Sequence, residues 1–121
     1  MDLSGITREQ KLFGAAIANV VFIIMMFFDW AGPIARQDFD DWWIFLIAAV
    51  LGAGIFAAEA ARVELPPIAS IGAATYLTSI LLWETVTFLF FADEHAFGFW
   101  IALVASIVGT VLAVAIWREE R

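Results

Sequence analysis

Four uninterrupted apolar runs dominate this sequence, over residues 12–30, 43–61, 67–91 and 97–117. Each is close to the ~20 residues whose helical rise crosses a ~30 Å hydrocarbon layer, so each is long enough to span a bilayer. In water such runs would need a polar cover. Here 64% of residues are apolar and only 16% are charged, with most of the charges in the short intervals outside the runs. Soluble domains carry roughly 25% charged residues. The pattern therefore predicts an all-α fold with the lipid bilayer as its partner: one integral membrane four-helix bundle over residues 1–121.

The ends of the runs carry the punctuation that helices prefer. Thr7-Arg8-Glu9-Gln10 reads as a capping box ahead of the first run, Gly32-Pro33 is expected to stop it, and Pro66 and Pro67 are expected to open the third. Although Arg8 and Lys11 precede the first run, it exceeds the ~7–15-residue core of a secretory signal and ends in Phe27-Phe28-Asp29-Trp30 without a small-residue cleavage site. It reads as retained. Short loops make consecutive helices antiparallel neighbours, giving up-down-up-down topology.

Orientation follows from lysine and arginine in the short loops. Arg8, Lys11, Arg62, Arg118 and Arg121 fall on one side and Arg36 alone on the other, a bias of five to one. Both termini and the Arg62 loop are expected in the cytoplasm, with the Arg36 and Asp93-Glu94-His95 loops outside. The same bias argues against antiparallel dimers of mixed orientation. Trp30, Trp42, Trp43 and Trp100 would anchor the outer interface and Trp117 the inner one, while Trp83 falls inside the third run.

Helices in lipid associate where small residues let backbones approach. Ala49, Ala53, Ala57 and Ala61 recur every fourth residue in the second run, and Ala105, Gly109 and Ala113 do so in the fourth, so both stripes are expected as buried seams. Ala69, Ser70 and Ala73 would draw in the cytoplasmic half of the third, and Gly52-Ala53-Gly54 suits a close crossing. Phe22, Met25, Met26, Phe27 and Phe28 make the outer half of the first run bulky, fit for lipid or for another subunit.

Glu84 is the sharpest candidate for chemistry, because an ionisable group inside a span is expensive and is a functional hypothesis by default. It would be neutral, paired or facing a wet crevice, with Thr87 as polar company on its own helix and Arg36 as an external partner. Glu59 lies three residues before Arg62 and is expected to pair with it. Asn19, well inside the first run, needs a hydrogen-bond partner on another helix. Thr75, Thr78 and Thr85 form a hydroxyl stripe whose members can bond their own backbone.

On the outer side Asp29, Asp38, Asp40, Asp41, Asp93 and Glu94 gather beside His95. Such oxygen-rich clusters suit hard cations, but the spacing matches no calcium loop, so a solvated acidic rim is expected. With no cysteine, thiolate metal sites and disulfides are excluded, and one histidine builds no multi-histidine site. A net charge of -7 argues against nucleic-acid binding. No catalytic triad, phosphate loop or zinc signature is present, so neither an enzyme nor a cofactor is expected.

The opening Leu3-Ser4-Gly5-Ile6-Thr7-Arg8-Glu9-Gln10-Lys11, followed by a span ending Phe27-Phe28-Asp29-Trp30, resembles the start of small four-span proteins of high-GC Gram-positive bacteria. Those proteins often have proline at the position of Asp29. The resemblance implies a bacterial plasma membrane and brings no catalytic residues. Two functional readings follow. The first is a structural or accessory subunit, self-associating or docked on a larger membrane complex. The alternative is a homo-oligomeric cation or proton channel or transporter using Glu84 and the acidic rim.

Overall fold

The structure, a computed structural model, describes residues 7–31, 34–35, 42–64, 66, 68–91 and 95–119. It contains four helices, α1 (Arg8–Met25), α2 (Trp42–Ala60), α3 (Ile71–Phe91) and α4 (Phe97–Glu119), with two short strands, β1 (Asp29–Ala31) and β2 (Ile34–Ala35), between α1 and α2. Three helical segments, Trp42–Ala60, Ile71–Phe90 and Phe97–Glu119, are long and apolar enough to cross a membrane.

The capping box forms as the sequence predicts. Thr7 Oγ1 accepts from Gln10 N at 3.1 Å and Gln10 Oε1 accepts from Thr7 N at 3.0 Å, satisfying two of the amide groups that a helix start leaves without partners. The other end of α1 differs from expectation. The helix stops at Met25, well before Gly32-Pro33, which lie outside the described residues. Its final turn tightens as Phe27 N and Phe28 N reach back three residues, to Ile24 O and Met25 O. The Trp30 indole then donates to Met25 O at 2.8 Å, a second bond to the carbonyl that accepts from Phe28 N. A local side-chain contact from five residues on accompanies this helix end, and sequence punctuation alone does not show it.

β1 and β2 pair antiparallel, Asp29 opposite Ala35 and Ala31 opposite Ile34, with a register irregularity between Asp29 and Ala31. The hairpin is pinned to the start of α4 by Ala96 N, which donates to Trp30 O at 2.7 Å.

α3 also begins later than the sequence suggests. Pro66 sits in the connecting turn, where its carbonyl accepts from Ala69 N, and Pro67 lies outside the described residues. Ser70 caps the helix instead, its Oγ accepting from Ala73 N at 3.2 Å, the preferred chemistry for that position.

α2 ends in a two-bond reversal: Arg62 N donates to Glu59 O and Val63 N to Ala58 O, with Arg62 at φ 60. This left-handed position normally takes glycine, because a Cβ there crowds the backbone. Arg62→Gly is expected to raise stability by about 1 kcal/mol, measured by denaturation in detergent micelles.

Each helix packs on its two neighbours in the ring order α1, α2, α3, α4 and back to α1. Arg8 meets Glu59 and Phe27 meets Trp42, so α1 and α2 are antiparallel. Thr75 meets Ala113 and Thr85 meets Ser106, so α3 and α4 are too. Lys11 meets Glu119 and Phe28 meets Phe97, closing the ring. The result is an up-down-up-down bundle.

The core has two apolar parts. One, nearer the chain termini, joins Leu12, Ala15, Phe56, Ala74, Ala113 and Ile116. The other, nearer the hairpin, joins Phe22, Met26, Trp30, Ala49, Leu81, Phe99 and Ala102.

The seams divide. On α4, Ala105, Gly109 and Ala113 are all buried. On α2, Ala49 is buried, Ala53 is half-buried, and Ala57 and Ala61 are exposed. A stride of four advances about 40° per step round a 3.6-residue helix, so this stripe turns out of the bundle. The face that stays inside alternates strides, through Ala49, Gly52, Phe56 and Ala60. Ala69 and Ala73 are half-buried and Ser70 exposed, while Ile71 and Ala74 carry the buried face of α3 there.

Candidate functional site

A thin polar layer separates the two apolar cores, and Asn19 is its centre. The residue is 1% exposed. Its Nδ2 donates to Ala15 O at 2.9 Å within α1 and to Thr78 Oγ1 at 3.3 Å on α3. This is the interhelical partner that the sequence demands. The Asn19 Oδ1 accepts no hydrogen bond. It rests against α2 at Gly52, where an added Cβ would stand 3.2 Å from it. A larger residue at Gly52 would need the Asn19 amide to yield by a few tenths of an ångström.

At the same level α4 approaches through Gly109, where a Cβ would meet Ala18 Cβ at 3.2 Å and Thr78 Cγ2 at 3.3 Å. Asn19, Gly52, Thr78 and Gly109, one from each helix, thus pack against one another at this level.

Four hydroxyls near this layer turn back on their own helices, while Thr110 Oγ1, buried beside Gly109, has no hydrogen-bond partner among the described residues. Thr75 donates to Ile71 O, Thr78 to Ala74 O, Thr85 to Leu82 O and Ser106 to Leu103 O, at 2.8–2.9 Å. Thr85 and Ser106 also bring their oxygens within 3.0 Å of each other across α3 and α4. Threonine and serine so arranged satisfy themselves without water.

The other predicted polar residues are not gathered here. Glu84 is half-buried and partnered on a flank of α3, about 9 Å along the helix from Thr78 by axial rise, with Thr87 half-buried one turn on. Glu59 lies at the opposite end. It pairs with Arg8 on α1, Oε1 to Nη2 at 3.6 Å, rather than with Arg62 three residues on. The left-handed turn at Arg62 breaks the helical register that the local pairing assumed.

A second ion pair at that end was not apparent in the sequence. Lys11 is 5% exposed and binds Glu119 of α4, so a buried ammonium ties the first helix to the last. The available signal is periodic: Lys11 shares the α1 face of Ala15, Asn19, Phe22 and Met26, all buried.

At the hairpin end Trp30 is buried completely, not an interfacial anchor. Its ring meets Phe22, Phe88 and Phe99 edge-on, with centroids 5.3–5.8 Å apart. His95 closes this cluster. Its Nε2 stands 3.2 Å from Phe88 O and its ring lies 4.8 Å from Phe99. Asp38, Asp40, Asp41, Asp93, Glu94 and Arg36 lie outside the described residues, as does the Asp29 side chain. Among the described residues no cluster of three potential metal ligands occurs.

Between α1 and α4 runs an open groove of about 460 Å³, rimmed by Ile17, Val21, Val104 and Val108 over Gly14 and Ala18. Its lining offers only van der Waals contact, suited to hydrocarbon. Comparisons with protein-family profiles, curated proteins and solved structures give no match.

Proposed function

We propose that the chain is a four-crossing protein of a bacterial plasma membrane, with both termini and the Arg62 connection cytoplasmic. It serves as a structural or accessory subunit, not as an enzyme or a channel. The observation that carries this reading is the interior: two apolar cores and a layer in which Thr75, Thr78, Thr85 and Ser106 bond their own helices. Such an interior positions helices and gives an ion or proton no continuous path.

α1 is the short crossing. From Leu12 to Met25 it offers 14 apolar-face residues, a rise of about 21 Å. Its reach is completed by the turn and β1, because Lys11 is held at the last turn of α4 and Trp30 at the residue before its first. That supports a segment as tall as α4. Irregular backbone at this depth is tolerated when protein covers it, as the aromatic cluster covers Trp30. The basic residues Arg8, Lys11, Arg62 and Arg118 share one end of the bundle, which supports a cytoplasmic assignment for that end.

Two measurements test the reading. Cysteine at Asp93 is expected to react with an impermeant thiol reagent from outside intact cells, and cysteine at Arg121 is not; the reverse result inverts the topology. In vesicles, wild type and Glu84→Gln are expected to be equally silent under cation and proton gradients. Conduction by wild type that Glu84→Gln abolishes would overturn the subunit reading in favour of a channel.

A further inference from the structure

α3 carries two heptad patterns on opposite faces. The inward one, Ile71, Ala74, Thr78, Leu81 and Thr85, is buried in the bundle. The outward one, Gly72, Tyr76, Ser79, Trp83, Val86 and Phe90, keeps the same alternation of fours and threes, and its members alternate small and large. The three rings stand 69%, 72% and 76% exposed. A seam that repeats every 3.5 residues is what a helix needs to follow a neighbouring helix instead of drifting across it. Fluid lipid tails impose no such period.

A second observation comes from the Trp83 indole. By helical rise Trp83 lies about 3 Å from the midpoint of α3 (Ile71–Phe91), far from the interfaces where tryptophan is at home. Hydrocarbon at that depth offers its N–H no acceptor. Among the described residues the indole makes no hydrogen bond. Lipid alone leaves this donor unmet, and a polar oxygen from another helix would meet it.

From the seam and the indole together we infer that this face of α3 is the contact with α3 of a second copy of the chain, across a two-fold axis along the membrane normal. The inference rests on the membrane-spanning reading with a single orientation, which makes the two α3 helices parallel. Equal heights then meet. Tyr76, Trp83 and Phe90 stack across the axis in layers, and Gly72, Ser79 and Val86 leave room between them. The hydroxyl oxygens of Ser79 and Thr87, beside Trp83 on the same face, supply acceptors for the opposing indole.

The area is sufficient. Buried aromatic residues remove ~150–250 Å² each, so three rings at these exposures contribute about 850 Å² over two copies. Ile80, Val86 and Thr87 beside them carry the contact past the ~1,000 Å² that a specific interface requires.

The 121-residue chain has no cysteine, which makes single-cysteine crosslinking clean. In vesicles of phosphatidylethanolamine and phosphatidylglycerol, Ser79→Cys is expected to give an oxidised dimer, whereas Leu51→Cys, exposed on α2, is expected to stay monomeric. In the same vesicles, photobleaching of wild-type chain labelled at its amino terminus should show pairs across a range of protein-to-lipid ratios. Trp83→Ala should raise the dimer dissociation constant about tenfold, and Trp83→Phe, which keeps a ring but loses the N–H, should fall between. One bleaching step at every ratio would overturn the inference and leave the face to lipid. Equal crosslinking from Ser79→Cys and Leu51→Cys, or steps that count three or more copies, would overturn the two-fold geometry. The cysteine-labelling result at Asp93 and Arg121 reads the orientation separately, so a failed dimer and a failed topology are distinguishable.

Discussion

Trp30→Ala is expected to lower the stability of the folded protein by about 3 kcal/mol, the lower end of the range for truncating a fully buried tryptophan. Transfer from water is only part of that range, and in a bilayer the remainder is packing. What is lost is the edge contact with Phe22, Phe88 and Phe99 and the cavity left between four segments. The indole bond to Met25 O goes as well, so the end of α1 loses its cap. Trp30→Phe keeps much of the ring packing and should lose roughly half as much, since only the N–H and part of the volume are removed. Reversible unfolding in mixed detergent micelles measures both. A Trp30→Ala protein as stable as wild type would mean that the aromatic cluster does not hold the hairpin.

Gly109→Leu should have an effect of similar size for the opposite reason. There is no room: the first carbon of the new side chain already meets Ala18 and Thr78 at 3.2 and 3.3 Å, and neither neighbour is the mobile end of a long chain. The helices must separate, which costs about 3 kcal/mol, the upper part of the range for overpacking. It also pulls apart the Asn19–Thr78 layer. Gly54→Leu is the matched control, because nothing lies within 4 Å of a Cβ there. In that variant the gain in helix propensity over glycine is expected to leave stability unchanged or slightly raised. Loss of the folded transition in Gly109→Leu but not in Gly54→Leu locates the tight crossing on α4. Equal behaviour of the two would refute it.

Much of the fold was legible because hydrophobic length is a coarse signal that survives every local detail. Four helices, their approximate extents, the capping box and the antiparallel ring all follow from run length, short connections and Thr7-Arg8-Glu9-Gln10. Boundaries were less legible where one nearby side chain, among several that could serve, decides them. The end of α1 depends on the indole of Trp30, and the start of α3 on the hydroxyl of Ser70 prevailing over the prolines before it.

The candidate site was half legible. The need of Asn19 for a partner on another helix was clear, but which helix supplied it was not, because spacing along one helix carries no information about neighbours. The Ala53–Ala57–Ala61 stripe misled for a geometric reason, since a constant stride of four winds slowly round a helix. The pairing of Glu59 with Arg8 instead of Arg62 depended on a backbone reversal with no glycine to announce it.

Both anchors of α1, the ammonium of Lys11 on Glu119 and the carbonyl of Trp30 on the amide of Ala96, reach to the two ends of α4. The bundle is therefore fastened at each of its two ends independently, by one polar contact between the α1 segment and α4.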